Sequence, residues 1–323
     1  MAIRFGNVTF PFNVFCATGA REFFGEGYWF HRYFRLLGLT WKETNLASKT
    51  ITLRPRTGNK DGGNMKLGRD GISPKELFPD CIIPHIMSGH VLNAVGLSGP
   101  GFIDLIYRDL WQKLREPFVL SFMAVGKTPD ERAQEYDTFA KFMKSHLSEF
   151  MSPFVIQVNF GCPNAGLPLD TLRDEVTGAL ETLFGLGIPL VPNFSPLVPA
   201  EFLKELEDTG LCAGFWIANT IPYAHDDLGE SIFGSPISPL ILRGFSGGGI
   251  SGPRCLKYTV RTICQARKCG VTLPIIGGNG IQTPWGVEMV MNAGATGIAI
   301  GTMAMVPPRM LMMRAVIKTA NRY

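Results

Sequence analysis

The chain has 323 residues, 46% of them hydrophobic and 18% charged, with a formal net charge of +4. Disorder as the main state is excluded, because it needs low hydrophobicity and high net charge. The balance of 31 basic against 27 acidic residues leaves no footprint for nucleic acid. The 37 glycines follow no collagen period and point to backbone lying close to a ligand.

Periodicity predicts alternating strands and helices. A hairpin over Ile3–Phe12 turns at Gly6-Asn7, and strand one follows at Val14–Ala17. Next come a helix at Phe24–Leu37, strand two at Leu39–Leu46 and a short extended pair at Thr50–Arg56. Thr57–Pro84 is rich in Gly, Asp and Lys and reads as a surface loop, with a substrate lid or subunit contact as the alternative. Helix Phe102–Leu114, strand three at Phe118–Met123 and helix Pro129–Met151 come next, the last with Thr128 as N-cap and Glu131 three residues on. Strand four is Phe154–Phe160, followed by helix Leu169–Leu186, strand five at Leu190–Phe194, helix Pro199–Asp208 and strand six at Gly214–Asn219. A glycine-rich connection reaches Gly252. Helix Pro253–Lys268, strand seven at Pro274–Gly277, helix Pro284–Asn292, strand eight at Gly297–Ile300 and a last helix from Pro307 complete the order.

Eight strands, nearly all followed by a helix, predict an α/β fold with a parallel sheet closed into a (β/α)8 TIM barrel, carrying an N-terminal hairpin and long βα loops. No GxGxxG follows strand one, which counts against a Rossmann fold. No linker splits residues 1–323, so one domain is expected. The seven cysteines form no CxxC pair and the five histidines no ligand spacing, so a reduced, cytoplasmic chain without a metal site is expected. MAIRFGNVTFPFNVFCATG lacks an apolar signal core. Met289–Pro308 is uncharged, but Asn292, its glycines and paired prolines make it helix end, strand and turn rather than a membrane span.

In a barrel, chemistry sits at the C-terminal ends of the strands. There lie Ala17-Thr18-Gly19, Ser48-Lys49-Thr50, the NFGCPN run Asn159–Asn164, Asn193, Asn219-Thr220, the SGGGISG run Ser246–Gly252, the GGNG run Gly277–Gly280, and Gly301-Thr302. The last three glycine turns fit a phosphate held by backbone N–H groups. Asn93, Asn159, Asn164 and Asn219 offer paired donors and acceptors suited to a flat ring such as a pyrimidine, although any one alone reads as a turn residue. Cys162, in a polar loop between two of them, fits a general base or nucleophile better than a buried apolar cysteine.

These motifs resemble those of the dihydroorotate dehydrogenase family of FMN-dependent barrels, which includes the pyrimidine domain of dihydropyrimidine dehydrogenase. NFGCPN, NAVGLSGPG, SKTITLRPRTGN, ANT, GGGISG, IIGGNGI and AIGT occur in the family's order from about residue 3 to 315. The resemblance implies oxidation of dihydroorotate to orotate in pyrimidine biosynthesis, with Cys162 as base and hydride passing to FMN. It implies that Lys49, Asn93, Gly96, Leu97, Asn159, Asn164, Asn219 and Thr220 hold the pyrimidine. It implies that Ala17, Gly19, Lys49, Thr50, Asn159, Asn193, Gly249, Ser251, Gly278, Asn279, Gly301 and Thr302 surround FMN. Cysteine at position 162 is typical of the family's soluble class; the membrane-associated class carries serine and an N-terminal helical extension. A homodimer is expected, with room for an electron-transfer partner subunit, and fumarate, NAD through a partner or quinone remain open as acceptors.

Two positions depart from the family. Its flavin-facing lysine at the end of strand five is Asn193 here, which removes a cation that would stabilise reduced flavin. Its Leu-Pro-Asn loop is Leu97-Ser98-Gly99, which implies a less rigid loop lacking one of the family's polar groups. Another dihydropyrimidine or related cyclic compound is the alternative substrate. A barrel using Cys162 as covalent nucleophile on a phosphorylated nucleotide and a flavin binder without turnover are the competing classes.

Overall fold

The computed structural model describes residues 2–57, 62–161 and 169–323. The chain enters as a hairpin of β1 (Ile3–Phe5) and β2 (Val8–Phe10), turning on Gly6 at φ +55°. The two-residue alternation buries Ile3, Phe5, Val8 and Phe10 and exposes Arg4 and Thr9. The elements that follow are β3 (Val14–Cys16), α1 (His31–Phe34), β4 (Leu46–Ala47), β5 (Ile82–His85), β6 (His90–Asn93), α2 (Phe102–Tyr107), β7 (Phe118–Phe122) and α3 (Pro129–His146). Then come β8 (Phe154–Asn159), α4 (Leu169–Phe184), β9 (Leu190–Phe194), α5 (Ala200–Asp208), β10 (Phe215–Ile217), β11 (Ile221–Pro222), α6 (Leu228–Phe233) and β12 (Gly249–Ser251). The chain ends with α7 (Leu256–Lys268), β13 (Ile275–Gly277), α8 (Pro284–Asn292), β14 (Gly297–Ile300), α9 (Pro307–Met310) and α10 (Met313–Ala320).

Eight strands pair in parallel in the order β3-β14-β13-β10-β9-β8-β7-β4. Asn45, just before β4, closes the ring: its N–H donates to Val14 C=O at 2.8 Å, and Cys16 N–H donates to Asn45 C=O at 3.0 Å. The expected barrel is therefore present. Its lower interior is apolar, with Phe15, Val119, Val155, Val191, Trp216, Ile276 and Ala299 packed against the hairpin's buried face. Phe15 stands edge-on to Phe10 and to Trp216, each at 5.0 Å between ring centroids. The hairpin thus plugs the bottom, and burying each such aromatic contributes about 1.5–3 kcal/mol. The site is left to open at the top.

The helices follow their local signals. Thr128 caps α3 by accepting from Glu131 N–H at 3.1 Å while Glu131 accepts from Thr128 N–H, and Pro129 occupies the first turn. Tyr136, Phe139 and Met143, spaced along one face, are buried, with Phe139 stacked on Phe122 at 4.0 Å. Among the described residues no helix is long and apolar enough to cross a membrane. Met289–Pro308 divides into the end of α8, then β14 and a 3-10 turn.

Several expected elements are shorter. The helix over 24–37 reduces to α1 and a 3-10 turn at Arg35–Leu37, because Glu22, Gly25 and Gly27 take left-handed φ values of +59°, +89° and +74°. Strand two shrinks from Leu39–Leu46 to β4; a turn fixed by Thr44 Oγ1 donating to Trp41 C=O replaces its first half. Helix Phe102–Leu114 stops at Tyr107, before Asp109 at φ +55°. The glycine-rich connection after strand six contains β11, α6 and β12. There, β11-β12-β6-β5 form an antiparallel sheet across the barrel mouth that local periodicity does not announce. Residues 57–84 are not a plain surface loop: Met65, Ile72 and Cys81 are buried, and the described part of the segment walls the cavity.

Candidate functional site

The barrel mouth holds a cavity of about 1320 Å³. Single ligand pockets run to about 300–1,000 Å³, so this one has room for a cofactor and a substrate together. It is walled by residues from every strand end singled out in the sequence except those noted below. Ala17, Gly19, Lys49, Thr50, Asn93, Gly96, Leu97, Asn159, Asn219, Thr220, Gly249, Ser251, Asn279, Gly301 and Thr302 all face it. Cys162 and Asn164 lie outside the described residues. Two expected residues are displaced. Gly278 sits beneath the wall: its N–H donates to Ile217 C=O at 2.9 Å and its carbonyl accepts from Thr259 Oγ1 at 2.6 Å. An added Cβ there would meet Ala218 Cβ at 2.4 Å, so its glycine serves close packing between strands. Asn193 is 1% exposed and lies within the barrel, not on the cavity wall.

The floor is a directional hydrogen-bond relay. Gln157 Oε1, fully buried, accepts from Ser121 Oγ at 2.7 Å, Thr18 Oγ1 at 3.3 Å and Asn193 Nδ2 at 3.5 Å. Ser121 spends its proton on Gln157, so the Thr50 hydroxyl donates to Ser121 Oγ at 2.9 Å. Asn159 Nδ2 then donates to Thr50 Oγ1 at 2.9 Å, and Asn219 Nδ2 donates to Asn159 Oδ1 at 2.9 Å. Gly161 N–H also donates to Asn159 Oδ1 at 2.9 Å. The orientation of both amides is thereby fixed. One Asn159 N–H and the Asn219 Oδ1 are left over, a donor beside an acceptor, which is the pattern a pyrimidine edge needs.

Opposite, the Asn93–Gly99 loop carries Gly96 at φ +67° and Leu97 at φ +58°. The expectation of a loosened loop is corrected by the geometry. Ser98, 0% exposed, donates to Val95 C=O at 2.8 Å and accepts from Met65 N–H at 2.9 Å. Asn64 adds bonds to Ala94 C=O at 2.6 Å and Val95 C=O at 3.0 Å, and Arg56 Nε donates to Gly96 C=O at 2.7 Å. Hydrogen bonds from the 62–65 segment do the stiffening that proline does in the family pattern. Gly99 is required by packing, since an added Cβ would meet the Phe23 ring at 2.8 Å.

The third side is the glycine rim. Thr302 Oγ1 donates to Ser251 Oγ at 2.9 Å. Asn279 is left-handed at φ +62°, with Nδ2 on Asn219 C=O at 2.8 Å and Oδ1 accepting from Gly252 N–H at 3.2 Å. Gly280 follows at φ +114°. The Asn279 side chain therefore clamps three loop ends together, and its backbone shapes the turn. At Gly301 a Cβ would meet Ala17 Cβ at 2.8 Å; at Gly249 it would meet Thr220 Oγ1 at 2.0 Å.

Lys49 stands where these sides meet, 6% exposed, with its ammonium 3.6 Å from Glu22 and 5.0 Å over the Phe23 ring. Burial pushes the Glu22 carboxyl up to about 7, against the downward pull of Lys49. Burial holds His31, also on the wall, down at about 4, so its ring is neutral at physiological pH. Sequence reasoning alone does not single out Gln157, Ser121, Glu22 or Arg56. For two of them a signal exists: Ser121 is the lone polar residue of FVLSF, and Gln157 in FVIQVN is a polar residue in an apolar run, two residues from Asn159 on one face.

Barrel, polar floor and glycine rim are those of the (β/α)8 enzyme class, in which strand-end glycine turns can receive a phosphate-bearing cofactor. The sequence profile of the dihydroorotate dehydrogenase family matches residues 3–319, and the chain belongs to that family. It is 28% identical over 316 residues to the dihydroorotate dehydrogenase B (NAD(+)) catalytic subunit of Desulforudis audaxviator, covering 95% of this chain and 87% of that protein. To the subunit of the same name from Bacillus caldolyticus it is 28% identical over 229 residues, covering 68% of this chain and 66% of that protein. Among solved structures it resembles the ligand-free and ferulenol-bound dihydroorotate dehydrogenase of Eimeria tenella. The TM-scores are 0.66 and 0.64 at 16% and 18% identity, over 98% of this chain and 86% and 82% of those chains. The protein is thus an oxidoreductase acting on CH–CH bonds, and FMN is its cofactor. The residues present fit that group. The glycine rim can receive a phosphate, and Lys49 Nζ is buried on the wall without a hydrogen-bond partner among the described residues.

Proposed function

We propose that the protein oxidises dihydroorotate to orotate, with Cys162 as the base. The observation that carries this reading is the relay that fixes Asn159 and Asn219 on the polar floor of a cavity that Lys49 also lines. Asn93, Asn159, Asn219 and Thr220, with Asn164, hold the ring; Lys49 and the backbone of Gly96 and Leu97 receive the carboxylate. Ala17, Gly19, Lys49, Thr50, Asn159, Gly249, Ser251, Asn279, Gly301 and Thr302 hold the cofactor, and Asn193 supports the floor from below. FMN, when bound, supplies the acceptor for a hydride from the ring carbon next to the one Cys162 deprotonates. A thiol titrates near ~8.5 when unperturbed, so proton removal by Cys162 makes turnover rise with pH. The name shared by the relatives, a catalytic subunit of an NAD-linked enzyme, supports a partner subunit that carries electrons onward.

The experiment is stopped-flow mixing of FMN-loaded protein with dihydroorotate. Cys162→Ala should slow flavin reduction by about 10²–10⁴-fold, the range for a lost general base, while orotate still binds. A rate near wild type in Cys162→Ala would end the base assignment. The alternative substrate, another dihydropyrimidine, would show itself by reducing the flavin faster than dihydroorotate does.

A further inference from the structure

Glu22 grips Lys49 at both ends. The Lys49 N–H donates to Glu22 C=O at 2.8 Å, and the Lys49 ammonium lies 3.6 Å from the Glu22 carboxylate. Glu22 is 0% exposed and sits at φ +59°. A bulky residue held left-handed is strained, and it persists only where its surroundings impose it. The polar groups facing the Glu22 carboxylate are the Lys49 ammonium and the Tyr28 hydroxyl, which itself donates to Gly19 C=O at 2.6 Å; Lys49 Nζ makes no hydrogen bond within the described chain. The Phe23 ring closes a second side of the ammonium at 5.0 Å, and Gly99 in turn holds that ring. Lys49 faces the cavity; Glu22 and Phe23 stand behind it.

A lysine on a free stem carries large rotamer entropy, which an arriving ligand must otherwise overcome. Here the stem is frozen in advance, and the ammonium keeps donors that no protein atom uses. A buried carboxylate paired at 3.6 Å contributes poorly to stability, so packing alone is a weak account of it. We propose that Glu22 is a positioning residue, holding the Lys49 ammonium so that its spare N–H donors face an anionic pyrimidine. The inference rests on the reading above that Lys49 meets the substrate.

The test is a double-mutant cycle on the FMN-loaded protein at about pH 9, above the Glu22 titration near 7 so that the carboxylate is ionised, read as orotate affinity through the change orotate makes in the flavin spectrum. Lys49→Met should weaken orotate strongly. Glu22→Gln, nearly the same shape, should weaken it by about ten- to a hundredfold, the worth of one charge-assisted contact. In the Lys49→Met background Glu22→Gln should change nothing further, because its effect passes through the ammonium. Wild-type affinity in Lys49→Met would overturn the underlying reading of Lys49. Weak binding in Lys49→Met with normal or tighter binding in Glu22→Gln would overturn the positioning role alone, as would an equal effect of Glu22→Gln in both backgrounds. If Glu22→Gln gives no cooperative melt, Glu22→Asp carries the same cycle, since it retracts the carboxylate by one methylene.

Discussion

Replacing Gln157 with leucine removes the acceptor on which the floor relay ends. Three donors lose their partner: Ser121 Oγ, Thr18 Oγ1 and Asn193 Nδ2. Thr18 is half-buried and lines the cavity, so its hydroxyl can turn to water. Ser121 and Thr50 share one bond, and reversing it still leaves one buried hydroxyl proton without an acceptor. Asn193 loses a long bond at 3.5 Å in a fully enclosed place. Against these losses, leucine removes Gln157 Nε2, a buried donor that already lacks a partner. At about 1–3 kcal/mol per buried unsatisfied group, two losses and one relief leave a net cost of about 1–3 kcal/mol. At roughly 2 °C per kcal/mol for a chain of this size, the Tm should fall by about 2–6 °C in a calorimetric scan. Orotate affinity should fall as well, since Thr50 and Asn159 lose their fixed hydrogen-bond direction. An unchanged Tm together with unchanged orotate affinity would refute the relay as the source of that orientation.

Other outcomes follow from the same geometry. Gly249→Val should abolish retention of FMN through purification, because its Cβ would meet Thr220 Oγ1 at 2.0 Å and push the mouth sheet off the rim; flavin content per chain checks this. Phe10→Ala should cost about 3–5 kcal/mol by opening a void in the plug yet leave orotate affinity unchanged, since the plug lies at the closed end of the barrel; a melt and a binding titration on one sample separate the two effects. The rise of Glu22 from its ordinary 4.5 to about 7 means that the folded state binds this proton more tightly. Its contribution, on the order of 3 kcal/mol, is present in full below about pH 4.5 and is lost as pH rises through 7. The Tm should therefore fall less steeply from about pH 5 to 8 in Glu22→Gln than in wild type, and parallel curves would contradict the shift.

The barrel is legible in the sequence because strands such as Phe118–Phe122, which follows Pro117, and Gly297–Ile300, which precedes Gly301, are short and mostly apolar runs next to breaker residues, and those signals are local. The capping box at Thr128 is local too. The mouth sheet is not legible: β12 is Gly-Ile-Ser, and it becomes a strand only because Asn93 to Val91 and Ile221 lie beside it. Glu22 gives no signal, because its burial depends on Lys49 and Tyr28 meeting it from elsewhere in the fold. At the site, glycine turns and strand-end asparagines can be read as residue types at strand ends. Which amide atoms stay free cannot, since that depends on Ser121 and Gln157 on neighbouring strands. Gly278 looks like its neighbours in GGNG, but strand packing against Ala218 claims it. Ser98 reads as a deficit against the family's proline, and only its two bonds reveal the replacement.

Whether this chain takes electrons from dihydroorotate onto FMN is decided by anaerobic addition of dihydroorotate to the purified yellow protein, followed by its visible spectrum. The flavin band should bleach on mixing, at one equivalent of dihydroorotate per FMN, with orotate as the product. A flavin that stays oxidised in excess dihydroorotate while orotate binds normally would contradict the proposed reaction.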